Sequence, residues 1–207
     1  MKNEKLYLQH TYTYMALRKT VGWIGITLPF TLMFGNFLIF KGELMLRSIS
    51  VYYYSEMRDV FVSALAAIAI FMFFYSGYGN KDKYVTTLAG ILTLGVIFFP
   101  TTLVGKTDLI GMVHYACAAS LFLLLAGISI FNFPRKRPGI EKQLTDKIQV
   151  ICGLVMIGCV IAAAVYFTFF HIEGHETCFV FVSESIALIA FGVSWLTEGW
   201  DLRLEIT

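Results

Sequence analysis

Six apolar stretches, each at least 20 residues long, constrain the fold of this chain more than any other feature of its sequence. Crossing about 30 Å of membrane hydrocarbon takes roughly 20 helical residues, so each stretch is long enough to span a bilayer. The stretches occupy residues 21–40, 58–78, 84–104, 109–133, 148–172 and 178–200. They predict an all-α polytopic membrane protein, a bundle of six transmembrane helices that forms one domain over residues 1–207.

The composition agrees with a membrane protein and argues against a nucleic-acid partner. Charged residues make up 14% of the chain and hydrophobic residues 57%, whereas soluble globular chains carry about 25% charged residues. The net charge of +2 is small, and no basic motif or base-stacking platform of a nucleic-acid-binding protein is present. We expect membrane lipids to be the partners, with a small-molecule ligand and assembly into a homo-oligomer left open.

The distribution of Lys and Arg predicts the orientation of the spans. If the six stretches cross alternately, one side holds only Lys41, Arg47, Arg58 and Lys106. The other side holds the remaining twelve, including Arg18 and the run at 135–137. Because positively charged loops stay in the cytoplasm, both termini are expected in the cytoplasm.

Three ionisable side chains fall near the outer ends of predicted spans, namely Asp59, His114 and Glu184. Such groups are costly in lipid and usually face the interior of a bundle. Small residues, which mark close approach of membrane helices, recur beside them at helical spacing, for example Ser63 and Ala67 after Asp59. We therefore expect the three groups to point inward and to meet in one polar pocket that opens outward.

Further polar side chains at the same level join the predicted ligand-binding set. They are Arg58, Tyr54 and Ser50. Each also has a structural interpretation: the tyrosines suit an interfacial aromatic belt, and Asp59 with Arg58 suits a pair at a helix end. His114 could be hydrogen-bonded within the bundle without forming a site. Glu184 could be a structural ion pair or a neutral acid.

Several segments resemble a family of bacterial six-helix membrane proteins described only as a domain of unknown function. The resemblance is carried by Ser48–Val62, by Tyr75-Ser-Gly77-Tyr78 and Phe98-Phe99-Pro100-Thr101, and by Glu184 with Phe191–Trp195. More remotely, the pattern is similar to the DRAM/Sfk-like superfamily. The resemblance implies a six-helix bundle and no established activity.

A weaker similarity connects the chain with membrane-embedded zinc hydrolases of the ceramidase and progestin-receptor type. His171 and His175 have the His-x-x-x-His spacing of that class, and His114 would be the third histidine. In such enzymes the residues hold zinc, which activates water. The similarity implies zinc as a cofactor, although those proteins have seven spans and Gly174 interrupts this pair.

Three functions follow as alternatives from the sequence. The first is a membrane protein that binds a lipid headgroup or small ligand in the outer pocket, without catalysis and without a cofactor. The second is a metal-dependent, membrane-embedded hydrolase. The third is a proton-coupled transporter or an oligomeric pore, for which the inner halves of the predicted spans lack matching charges.

Overall fold

The computed structural model describes residues 2–75, 80–102, 108–134, 142–170 and 177–204. Within these ranges the chain forms six α-helices and no strand, which confirms the all-α prediction. The helices are α1 (Lys2–Phe34), α2 (Arg58–Phe74), α3 (Asn80–Phe98), α4 (Leu109–Gly127), α5 (Lys142–Val165) and α6 (Phe179–Leu204). Five-residue π-helical turns prolong α1 (Gly35–Ile39), α4 (Ile128–Asn132) and α5 (Tyr166–Phe170).

Four helical segments are long and apolar enough to cross a membrane. They are Thr13–Ile39, Leu109–Asn132, Leu144–Phe169 and Phe179–Glu198. They match the first, fourth, fifth and sixth predicted spans, although the first begins earlier than residue 21. The helices α2 and α3 match the second and third predicted spans in position, with 17 and 19 residues. Their crossing of the membrane stays a prediction.

The sixth helix is the most enclosed of the four. In its apolar window 61% of the residues are buried, against 17–33% in the other three. It packs mainly against α1 and α5, while α2 packs against α3. Helices α1 and α6 run antiparallel and approach closely, because Gly22 and Gly192 face each other where they cross.

The segment 41–57 lies across one end of the bundle, which we call the first-loop end. The side chain of Asn36 donates to the carbonyl of Glu43 at 2.8 Å and fixes the start of the segment. A short 3₁₀ helix, Ser50–Tyr54, follows, and the buried Tyr52 packs against Phe181 of α6. Burial raises the pKa of the Tyr52 phenol above its ordinary value. The loop is therefore attached to α6 and covers this end.

Candidate functional site

A cavity of about 60 Å³ lies beneath the first loop and is bounded by α1, α2, α3, α4 and α6. Its polar lining residues are Ser50, Thr93 and Glu184. The remaining lining residues are apolar: Leu28, Ile49, Phe61, Leu65, Ile68, Val96, Ala118, Leu121, Phe122, Leu125, Leu188 and Phe191. As far as the described residues line it, the cavity is thus an apolar space with one carboxyl group at its first-loop end.

Glu184 connects the cavity wall to the first loop. Its Oε2 accepts the backbone N–H of Ile49 at 2.6 Å, at the start of the 3₁₀ helix. A carboxylate offers about four acceptor sites, so this bond leaves acceptor capacity toward the cavity.

The accessible part of the cavity wall lies on two helices. Ala118 and Phe122 of α4 and Glu184 of α6 are partly exposed, while the other lining residues are buried. Helices α4 and α6 touch each other only slightly. Helix α5 packs against both of them, so the accessible way into the cavity is at Ala118, Phe122 and Glu184.

The volume limits what the cavity can enclose. A dry apolar cavity of roughly 150 Å³ accommodates benzene, and one water molecule needs about 10–15 Å³. A space of about 60 Å³ therefore holds a small polar group or the first carbons of a chain. It does not enclose a complete lipid.

The prediction that Asp59, His114 and Glu184 meet in one cavity is wrong. Asp59 is exposed, as are Ser63 and Ala67 on the same face of α2. His114 is buried, as predicted, but its Nδ1 lies 2.7 Å from the carbonyl oxygen of Phe99, and it does not line this cavity. Two of the three side chains, those of His114 and Glu184, point into the bundle as predicted. Of the three, only Glu184 lines the cavity.

Of the other predicted ligand-binding residues, Ser50 lines the cavity. Tyr54 donates its hydroxyl to the carbonyl of Thr101 at 2.8 Å. Arg58 donates to the hydroxyl of Tyr53 at 2.9 Å, with its guanidinium 4.5 Å from the centre of that ring. Tyr54 and Arg58 thus make polar contacts on the rim of the first-loop end and do not line the cavity. Roles for them in ligand binding stay predictions.

The metal hypothesis depends on two residues outside the described ranges, His171 and His175. Among the residues that the structure describes, no group of three His, Cys, Asp or Glu side chains is placed to hold a metal ion. The hydrolase alternative and its zinc therefore stay predictions.

A buried ion pair, absent from the predictions above, lies toward the opposite end of the bundle, between the middle of α1 and the last turns of α6. Arg18 and Glu198 are both fully buried, with Nη2 and Oε1 3.5 Å apart. The guanidinium lies 5.0–5.4 Å from the ring centres of Tyr75, Phe133 and Trp195. The charge count predicts Arg18 in a cytoplasmic segment, whereas in the structure aromatic rings enclose it.

A neutral polar cluster lies near the ion pair in the same half of the bundle. Ser194 contacts Ser129 at 2.6 Å, and Gln149 donates to the backbone carbonyl of Ser194 at 3.0 Å. Small residues recur at helical spacing along α6, at Ser183, Ala187, Ala190 and Ser194. This stripe predicts a buried position for Ser194, which the structure confirms. The partner Gln149 on α5 gave no comparable signal.

One face of α6 links both ends of the bundle. Glu184, Leu188, Phe191, Trp195 and Glu198 follow at i, i+4, i+7, i+11 and i+14, which places them along one stripe. The first three line the cavity, and Trp195 follows one turn later. This spacing could have predicted the burial of Glu198, because it places a second carboxylate on the same helix face as Glu184.

No family model, curated protein or solved structure matches this chain. The resemblances described above therefore stay predictions.

Proposed function

We propose that this chain is a six-span protein of the bacterial inner membrane that binds the polar end of a lipid or of another small amphiphilic ligand beside Glu184. The observation that carries the proposal is the cavity: apolar walls, one carboxyl group, and accessible lining on α4 and α6. A ligand dissolved in the bilayer would reach it past the partly exposed Ala118 and Phe122. Its chain would stay between the helices and the lipid, because about 60 Å³ accommodates only the leading atoms.

The cavity supports binding better than transport. Trp195 packs against Phe71, Tyr75, Phe133 and Phe191, with ring centres 5.0–5.9 Å apart. These rings lie between the cavity and the Arg18–Glu198 pair. A relay from Glu184 to that pair would need them to separate, whereas binding from the membrane requires no such path.

A substitution at the opening tests the proposal. Ala118→Leu adds volume to the partly exposed wall of the cavity, and we expect it to block the ligand. Ala116→Leu is the matched control, since Ala116 is on the same helix, is exposed and does not line the cavity. Native mass spectrometry of protein purified from bacterial membranes would detect retained lipid-sized adducts. Adducts retained equally by both variants would contradict the proposal.

A further inference from the structure

The charges around the cavity select among amphiphilic ligands. Among the residues that the structure describes, Glu184 is the one ionisable side chain in the lining. Three described cations lie at the first-loop end and do not line the cavity: Arg58 contacts the ring of Tyr53, Arg47 donates to the carbonyl of Thr102 at 3.3 Å, and Lys41 is exposed. An anionic headgroup would meet a carboxylate with no cation in the lining, which is repulsive. A cationic headgroup would find its counter-ion there.

The size of the cavity restricts the headgroups that can enter it. A volume well below the roughly 150 Å³ that holds benzene excludes a phosphate-bearing headgroup from the space of about 60 Å³ beside Glu184. A primary ammonium group with its first carbons is small enough, and each of its three N–H bonds donates. Ser50 and Thr93, the other polar lining residues, supply hydroxyl oxygens that can accept.

We infer that the cavity takes the protonated primary amine of a single-chain amphiphile, with the Glu184 carboxylate as counter-ion and the alkyl chain leaving past the partly exposed Ala118 and Phe122. This inference rests on the proposed function, because it names the ligand class of the same cavity. The bond from Ile49 to Oε2 holds the carboxylate in place, so the ammonium approaches a fixed acceptor. Hydrogen bonds to a charged partner exceed neutral ones, which favours an amine over an alcohol of equal chain length.

Three probes with the same chain and different headgroups provide the test: dodecylamine, dodecanol and dodecanoate. Each is titrated into the full chain in nanodiscs of zwitterionic lipid, and one-to-one adducts are counted by native mass spectrometry. We expect dodecylamine to bind about tenfold or more tightly than dodecanoate, with dodecanol between them. Because this series uses the unmodified chain, it does not depend on the folding of any variant.

Two variants connect the binding to the site. Glu184→Gln should reduce dodecylamine binding about tenfold or more. Glu56→Gln, which changes an exposed carboxylate in the first loop, should leave it unchanged. Equal affinity for the three probes, with all binding blocked by Ala118→Leu, would overturn the amine inference and leave the proposed function intact. Binding of no probe, or binding unaffected by Ala118→Leu, would overturn both.

Discussion

A guanidinium enclosed in a helical bundle needs compensation for the water that it loses, and Arg18 receives three kinds. Glu198 lies within 3.5 Å, the hydroxyl of Tyr75 accepts a hydrogen bond from Nη2 at 2.5 Å, and three aromatic rings surround the cation. Removing one member of a buried pair removes its attraction for the other charge and typically costs about 3–5 kcal/mol. Replacing both by apolar residues of similar size is often neutral.

We therefore expect Arg18→Met to lower the free energy of unfolding by about 3–5 kcal/mol, and Arg18→Met with Glu198→Met to recover most of that loss. Reversible unfolding in mixed micelles measures both. Arg58→Met is the control, because an exposed cation stacked on a ring contributes about 0.5–1 kcal/mol. A double variant as unstable as the single one would show that the aromatic rings, more than Glu198, hold the cation.

At the residue scale the sequence predicted that Glu184 and His114 point into the bundle. It did not predict the groups that they contact, the backbone N–H of Ile49 and the carbonyl of Phe99. Hydrophobic windows set the span edges at the first charged residue, so Arg18 was assigned to a loop although it lies inside α1. The pairing of Arg18 with Glu198 joins positions 180 residues apart. Local spacing does not encode such a contact.

The crossing of α1 and α6 depends on two glycines. A Cβ on Gly192 would lie 2.4 Å from the carbonyl oxygen of Gly22 and 2.9 Å from the backbone nitrogen of Ile26. Backbone atoms cannot move aside as a flexible side chain can. The close approach that encloses α6 therefore requires glycine at this position.

Gly192→Ala should force the two helices apart and cost about 1–3 kcal/mol, as overpacking does. Gly158→Ala in α5 is the matched control, because a Cβ there has nothing within 4 Å, and alanine is favoured over glycine within a helix by about 1 kcal/mol. Melting temperatures of the two variants in the same detergent would give opposite shifts. A neutral Gly192→Ala would mean that the crossing is not tightly packed.

At the scale of whole helices, the sequence predicted the positions of the helices well. It predicted the buried face correctly for α6 and wrongly for α2. The stripe of small residues on α6 is buried, as expected, but the comparable residues Asp59, Ser63 and Ala67 on α2 are exposed. The buried face of α2 carries Phe61, Leu65 and Ile68 instead. A helix that is apolar on most sides has little amphipathic signal, so its sequence alone does not select the face that contacts its neighbours.

For the whole molecule, four spans and six spans give the same orientation for α1, α4, α5 and α6. The two topologies differ only in the connection between α2 and α3, around residues 75–83. With Arg18 inside the bundle, six spans place eleven Lys and Arg residues on the side of the termini and four on the other. Four spans would move Lys81 and Lys83 across, giving nine against six. The positive-inside rule therefore favours six.

The lengths of α2 and α3 are compatible with six spans. At 1.5 Å per residue, 17 and 19 residues give about 25 and 28 Å, near the short limit for crossing the hydrocarbon.

If the chain has six spans, we expect alkaline phosphatase fused after Lys83 to be inactive, because that position is then cytoplasmic, and a fusion after Met45 to be active. A fusion after Phe133 should be inactive in either topology and serves as the control. Activity after Lys83 would leave four spans and place the α2–α3 hairpin, with its share of the cavity wall, on the outer side of the membrane.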